Sequence, residues 1–410
     1  MKKDTQVRYL GGVKSPILTE VKKSDKVTVL EDEDDWMKVA TADGYVGYIK
    51  TKSLKNQKKE KTSRDFTEPV YSDMTEDHSI NMAWHNVTNA AANNAVQQVL
   101  ASTSGLTTIA PTWFSLADTE GNISSIADAD YVNYAHTAGL EVWAVFRDFH
   151  GGTNSYDETY ETLRYTSKRA KLEDQVVAAA VAAGVDGINL DFELISSKCG
   201  VHYVQLVREL SVKCHQNNLV FSVDNYVPQS YNSHYDLKEQ GIVADYVVIM
   251  AYDEHTEGSY EAGSVASISY LQDGIEKTLK KVSADKVIAG IPFFTRLWFE
   301  TAKSPEQLSE EAGTEAASYP NKVSSKALGM EEAAQSVVNA GATAQWDEKT
   351  QQNYAKWSAD GGTYRIWLED AQSLEAKLKV IQENKLAGVA EWSLGKEESS
   401  VWNLISQYVN

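Results

Sequence analysis

Apolar positions beyond residue 79 fall into short runs typical of buried strands, separated by longer stretches with helical spacing. The strand-like runs are 80–84, 107–113, 141–146, 187–193, 219–225, 246–252, 287–292 and 388–392. Helical stretches include 91–101, 128–138, 158–183, 201–216, 267–282 and 371–383. Eight strands that alternate with helices indicate an α/β fold of the (β/α)8 or TIM-barrel type.

The interval that follows the seventh strand is too long for an ordinary barrel loop. It contains several aromatic residues, among them Trp346, Tyr354 and Trp357, and it ends in a strand-like run at 363–368. We therefore expect a small α+β insertion at about 299–368. A structured loop that only shields the core is an equal alternative.

The first part of the chain follows a different pattern. Short β-branched stretches at 26–30, 36–41 and 45–49 are separated by turn residues, with no helix between them, which predicts a small all-β barrel. The ending D-G-Y-V-G-Y-I at 43–49 resembles the bacterial SH3-type domain. Domains of that family commonly accompany cell-wall enzymes, so the resemblance implies wall binding, and a spacer without a ligand is equally compatible with it.

Three parts follow from these patterns: an SH3-like domain at 1–55, a Lys-rich linker at 56–67 and a barrel domain at 68–410. The linker assignment rests on the solvated composition N-Q-K-K-E-K-T-S-R at 56–64.

Composition narrows the classes of function. The formal net charge of -19 disfavours nucleic acid as a partner, because phosphates would be repelled. No run approaches the roughly 18 apolar residues of a membrane span, and the first residues lack the apolar stretch of a signal peptide. Either the protein is cytosolic, or its export signal is absent from this sequence. Cys199 and Cys214 fit neither a zinc site nor a disulfide scaffold.

The fourth strand carries the most informative residues of the chain. It reads D-G-I-N-L-D-F-E from Asp186, and the period of two along a strand places Asn189, Asp191 and Glu193 on one face. Burying carboxylates without partners is costly, and strands of a β-α alternation are covered on both faces. Catalysis explains such a stripe, and the alternative is an edge strand with a solvated acidic face.

Other strand ends also carry polar or aromatic groups. The sixth ends in Met250-Ala251-Tyr252-Asp253, the seventh runs into Arg296, and the eighth ends in Trp392. Together these motifs resemble glycoside hydrolase family 18, whose fourth strand reads D-x-x-D-x-D-x-E. Asn189 departs from that pattern, because it stands where the family often has Asp.

The resemblance implies retaining, substrate-assisted hydrolysis of β-1,4 bonds next to an N-acetylhexosamine. Glu193 would act as general acid and then base, Asp191 would orient the acetamido N–H, and Tyr252 would hold the acetamido carbonyl. The remaining residues expected to bind substrate are Asn189, Met250, Asp253, Trp392, Trp84, Trp113 and Arg296. Of these, Trp84 and Trp113 are candidate sugar platforms, and Arg296 would bind a substrate carboxylate or brace acidic neighbours.

The spacing of the two carboxyl groups on the fourth strand also predicts their protonation. Asp191 and apolar surroundings should keep the proton on Glu193 nearer to neutral pH. Because Asn189 has no titratable proton to share, Asp191 should stay ionised.

The resulting hypothesis is a glycosidase that cuts cell-wall or spore-cortex glycan as an N-acetylglucosaminidase and acts outside the cell or in association with the wall or spore. It needs no cofactor and no metal, and its partner is a polysaccharide. A chitinase is the alternative enzyme. A non-catalytic glycan-binding protein is the second class, motivated by Asn189.

Overall fold

The structure is a computed structural model that describes residues 1–59, 61 and 72–409. The chain divides into two compact units, 1–70 and 71–410. Most of the predicted linker at 56–67 and the predicted start of the barrel domain at residue 68 lie outside the described residues. The exact domain limits stay a prediction.

The N-terminal unit is an antiparallel sheet of five strands in the order β2-β1-β5-β4-β3. Its strands are β1 (Thr5–Arg8), β2 (Ile17–Val21), β3 (Val27–Glu33), β4 (Trp36–Thr41) and β5 (Val46–Lys50). Alternation along β4 buries Met37 and Val39 and leaves Lys38 partly exposed, so that one face of the sheet forms a small core with Val7 and Ile49. The expected all-β region is confirmed.

The second unit begins with strands and helices that alternate along the chain. Its strands as far as the insertion are β6 (Ile80–His85), β7 (Thr108–Pro111), β8 (Phe114–Leu116), β9 (Ile123–Ser125), β10 (Glu141–Arg147), β11 (Gly187–Asp191), β12 (Val220–Tyr226), β13 (Tyr246–Met250) and β14 (Val287–Pro292). The helices between them are α1 (Val96–Leu100), α2 (Ala129–Thr137), α3 (Tyr156–Leu163), α4 (Thr166–Ala183), α5 (Gly200–Gln216), α6 (Leu237–Val243) and α7 (Ile268–Leu279).

The insertion after β14 folds as an antiparallel sheet with helices α8 (Pro305–Glu310) and α9 (Met330–Asn339). Its strands are β15 (Phe294–Ala302), β16 (Asn321–Gly329), β17 (Gln345–Asp347), β18 (Gln352–Ala359) and β19 (Gly362–Leu368). Helix α10 (Ala371–Glu383), strand β20 (Gly388–Trp392) and helix α11 (Val401–Val409) then complete the unit.

Eight parallel strands close into a barrel, in the order β11-β12-β13-β14-β20-β6-β7-β10, and β10 pairs with β11 to close the ring. The predicted (β/α)8 barrel is thus confirmed. Side chains on the inner face, such as Val145 and Val248, fill the barrel, whereas Ile188 and Leu190 on the outer face pack in the layer that contains the helices. Gly187 makes room for the inward-facing Trp143, since an added Cβ would lie 2.8 Å from that ring.

Two local expectations are corrected. The helical stretch at 158–183 is two helices, α3 and α4, because Tyr165 adopts an extended conformation between them. The buried Arg169 guanidinium donates to the carbonyl oxygen of Leu163 at 2.7 Å and so satisfies one end of α3. The expected strand at 107–113 ends at Pro111 as β7, and a separate strand, β8, begins at Phe114. Among the described residues, no helix is long and apolar enough to cross a bilayer.

Candidate active site

A cleft opens where the barrel strands end. Seven of the ten predicted site residues line it: Trp84, Asp191, Glu193, Met250, Tyr252, Asp253 and Trp392. The further lining residues are Asn86, Arg147, Phe149, His150, Asp224 and Tyr226. The carboxyl ends of the parallel strands therefore bring these side chains together, as the barrel architecture requires.

Glu193 lies in the loop just beyond β11, and a buried side chain fixes its backbone by hydrogen bonds. The buried carboxylate of Asp148 accepts hydrogen bonds from the backbone N–H of Glu193 at 2.8 Å and of Leu194 at 3.0 Å. Thr159 donates to the same carboxylate at 3.1 Å. Burial raises the pKa of Asp148 to about 7, against the opposing effect of these hydrogen bonds. The loop that presents the candidate acid is thus fixed by buried polar contacts.

Among the residues that the structure describes, the Glu193 carboxyl group has one direct side-chain partner. The Tyr226 hydroxyl donates a hydrogen bond to Glu193 Oε2. Burial raises the pKa of Glu193, the Tyr226 hydrogen bond lowers it, and the nearby Asp253 raises it. The predicted direction is correct, and desolvation is its first cause.

Asn189 lies below the cleft and is fully engaged. Its side-chain oxygen accepts from Trp84 Nε1 at 3.0 Å, and its amide donates to Asp224 Oδ1 at 2.7 Å and to Ser222 Oγ at 2.9 Å. It therefore positions Trp84 and Asp224 from beneath.

The surroundings of Asp191 oppose the ionised form that the sequence predicts. Burial raises its pKa well above the usual value, and the charges of Glu193 and Asp224 act in the same direction, while Arg147 opposes them. Asp191 Oδ1 is buried and has no hydrogen-bond partner among the described residues. The expectation considered only Asn189 and Glu193, but Asp224 adds a third carboxyl group to the same site.

Aromatic rings form an apolar part of the cleft. Trp84 packs edge-to-face against Tyr252, with ring centroids 6.4 Å apart, and against Trp392 at 5.9 Å. Gly290 on β14 allows a close approach of β13 and Tyr252, because an added Cβ would lie 3.0 Å from the Ile249 carbonyl oxygen and 3.3 Å from the Tyr252 ring. Aromatic faces of this kind suit the apolar side of a sugar.

Two positive charges act on Asp253. Burial raises the pKa of Asp253, and Arg296 and Lys396 lower it. Arg296 does not line the cleft; it donates to Ser325 Oγ at 2.9 Å within the insertion sheet. Of its two predicted roles, its electrostatic effect on Asp253 favours the bracing one.

Trp113 is corrected as a sugar platform. It is buried outside the cleft, its Nε1 donates to Asn93 Oδ1 at 2.8 Å, and its ring packs on Tyr131. The chain turns after β7, so this side chain points into the layer between strands and helices rather than into the barrel mouth.

Sequence reasoning missed Asp224, Tyr226 and Arg147, which all line the cleft. A signal was available, because Ser222, Asp224 and Tyr226 alternate along the fifth barrel strand, with the period that places them on one face. Arg147 occupies the last position of the third barrel strand.

Comparison with known protein families shows to which family the chain belongs. The family model for glycosyl hydrolases family 18 matches residues 149–397, which is more than half of the chain. The chain belongs to this family. The bacterial SH3 domain model matches residues 11–55, in agreement with the all-β unit.

Several family relatives are similar over much of the chain. The uncharacterized glycosylase YvbX of Bacillus subtilis is 25% identical over 295 residues, covering 70% of this chain and 80% of that protein. A cortical fragment-lytic enzyme of Bacillus subtilis is 27% identical over 256 residues, covering 60% of this chain but only 54% of its own length.

Solved structures share the fold. A chitinase from Chromobacterium violaceum superposes with a TM-score of 0.67 at 21% identity, covering 80% of this chain and 98% of that one. The spore cortex-lytic enzyme SleL of Bacillus megaterium gives 0.66 at 20% identity, covering 81% and 74%. At this level of identity, the likeness is one of architecture.

Proposed function

We propose that this family 18 protein hydrolyses β-1,4 bonds next to N-acetylglucosamine in peptidoglycan or spore-cortex glycan. The observation that carries the proposal is the grouping of Asp191, Glu193 and Tyr252 in one cleft at the barrel mouth. Burial favours the protonated form of Glu193, which is the form a general acid requires.

In the proposed first step, Glu193 gives its proton to the glycosidic oxygen as the bond from that oxygen to C1 breaks. The acetamido oxygen of the same sugar bonds to C1 and forms an oxazolinium ring, whose N–H faces Asp191. Water then attacks C1 and passes a proton to Glu193, and the ring reopens with the β configuration retained. This route needs no enzyme nucleophile.

The other cleft residues have supporting roles in this proposal. Tyr252 holds the acetamido carbonyl beneath C1, Trp392 forms the apolar floor of the subsite, and Trp84 packs against both rings. Met250 and Asp253 contact the same sugar.

The proposed glycan is inferred from the relatives of the barrel domain and from the domain that precedes it. Relatives named as cortex-lytic enzymes and an N-terminal SH3-type domain both favour a wall or cortex substrate, and the SH3-type domain would bind the wall. Action outside the cell or at the spore follows from the same substrate. A chitinase activity is the alternative, favoured by the structural similarity to a chitinase.

The test is product analysis. The protein is incubated separately with purified cell wall, purified cortex and chitin oligomers, and new reducing ends are identified by mass spectrometry. We expect N-acetylglucosamine reducing ends from wall or cortex, and none with Glu193→Gln. Release from chitin alone would select the chitinase, and glycan binding without cleavage in both proteins would identify a binding protein.

A further inference from the structure

Tyr226 ends the fifth barrel strand, and its ring projects into the cleft on the same face as Asp224. Its hydroxyl donates to Glu193 Oε2, which is the direct side-chain hydrogen bond to that carboxyl group within the described part of the chain. The residue is 40% exposed, so this contact forms at the cleft surface rather than in the core.

Tyr235 contacts both Tyr226 and the backbone of Glu193. Tyr235 packs edge-to-face on Tyr226, with ring centroids 6.3 Å apart and an interplanar angle of 86°. The Tyr235 hydroxyl lies within hydrogen-bond distance of the carbonyl oxygens of Phe192 at 3.1 Å and Glu193 at 3.2 Å. The ring of Tyr226 and the backbone of Glu193 therefore share one buried support, which limits how far they can separate.

The direction of the hydrogen bond has a chemical consequence. A carboxylic acid accepts a hydrogen bond better at its carbonyl oxygen than at its O–H oxygen, so a donor at Oε2 favours the proton on Oε1. After Glu193 has given up that proton, the same hydroxyl stabilises the carboxylate by a charge-assisted hydrogen bond.

We propose that Tyr226 is a positioning residue that directs the transferable proton of Glu193 to Oε1 and stabilises the carboxylate that remains. This inference rests on the proposed function of Glu193 as the acid. With this role, a residue of the fifth barrel strand takes part in the acid–base chemistry, in addition to the residues of the fourth-strand motif.

The effect on Glu193 has a defined sign. Burial favours the protonated carboxyl group, and the Tyr226 hydroxyl favours the carboxylate. Removing the hydroxyl should therefore raise the pKa of Glu193, weaken it as an acid and extend its protonated range to higher pH.

The test compares Tyr226→Phe with the parent protein, and Tyr231→Phe serves as the control. The phenylalanine keeps the ring and loses only the hydroxyl. Tyr231 is 77% exposed and does not line the cleft, so the control removes a phenol at a neutral place. The Glu193 carboxyl carbon is titrated by 13C NMR, and its resonance is assigned by its loss in Glu193→Gln.

We expect the titration midpoint to rise by about one pH unit in Tyr226→Phe and to stay unchanged in Tyr231→Phe. On the glycan that the parent cleaves, kcat should fall about tenfold with KM unchanged, and the alkaline limb of the pH profile should move upward.

An unchanged midpoint overturns the inference. A raised KM with unchanged kcat also overturns it, because Tyr226 would then act as a sugar contact. If the midpoint moves but the parent cleaves none of the glycans, the coupling of Tyr226 to Glu193 stands and the proposed function is rejected instead.

Discussion

The side-chain amide of Asn189 donates to Asp224 Oδ1 at 2.7 Å and so joins the fourth and fifth barrel strands beneath the cleft. The other oxygen of Asp224 is buried and has no hydrogen-bond partner within the described ranges. Burial raises the pKa of Asp224 to about 8. Asp224 of the fifth barrel strand therefore belongs to the same polar group as the side chains of the fourth strand.

The first prediction concerns Asp224→Asn. The folded-state pKa of Asp224 lies above its usual 3.8, so between about pH 4 and pH 8 the folded protein binds a proton that the unfolded chain has released. This group therefore makes the parent less stable as pH rises through that window. Asp224→Asn carries no such titration and should gain stability relative to the parent from pH 4.5 to pH 7.5.

Urea denaturation of both proteins at the two pH values measures this difference. Asp224→Ala is the control for the hydrogen bond, because it removes the acceptor of Asn189 and should be less stable than Asp224→Asn at both pH values. Parallel pH dependences of the parent and Asp224→Asn would show that Asp224 does not hold the raised pKa.

Tyr252→Phe tests the proposed orientation of the acetamido group. The ring should keep its packing on Trp84, while the hydroxyl that would hold the carbonyl is lost. We expect kcat to fall by roughly 10- to 100-fold with a small change in KM, since orientation is needed most in the transition state. Steady-state kinetics on the cleaved glycan decide it, and an unchanged kcat would remove Tyr252 from the mechanism.

The tryptophan in the cleft and the tryptophan outside it can be distinguished by substitution. Trp392→Ala should weaken glycan binding, because Trp392 lines the cleft. Trp113→Phe should leave binding unchanged and cost about 1–3 kcal/mol of stability, because the side-chain oxygen of Asn93 loses its hydrogen-bond donor. Isothermal titration with an oligosaccharide in the Glu193→Gln background measures binding, and urea denaturation measures stability. Loss of binding in Trp113→Phe would contradict the assignment.

A buried ion pair outside the cleft offers a prediction on stability. Lys377 of α10 contacts both carboxylate oxygens of Glu369 at 2.9 and 3.0 Å, and both side chains are almost fully buried. Gln352 on β18 donates to the same carboxylate at 2.7 Å, so the pair links the insertion to α10. Lys377→Met should lower the free energy of unfolding by about 3–5 kcal/mol, because it leaves a buried carboxylate without its cation.

Chemical denaturation measures that loss, and Lys377→Met combined with Glu369→Gln is the matched control. The double variant should recover part of the stability, since it buries no unpaired charge. Equal stabilities of the single and double variants would mean that Glu369 is protonated in the folded protein and does not depend on Lys377.

Much of the architecture was readable from local patterns. The positions of the barrel strands follow from short apolar runs bounded by helical spacing, and Asp191 and Glu193 were predicted to share a site because two residues apart on a strand means one face. The break between α3 and α4 does not follow from the spacing, because the Arg169 side chain of the next helix donates to the Leu163 carbonyl oxygen at the end of α3.

The sequence by itself determined the barrel, the all-β N-terminal unit and the strand that leads to the candidate acid, because these depend on periodicities between neighbouring residues. Only the tertiary structure decided that Asp224, 35 positions from Asn189, and Tyr226, 33 positions from Glu193, join the same site. The tertiary structure also places Trp113 outside the cleft. Register between strands and the direction of a turn set such contacts, and neither is encoded by the spacing within one strand.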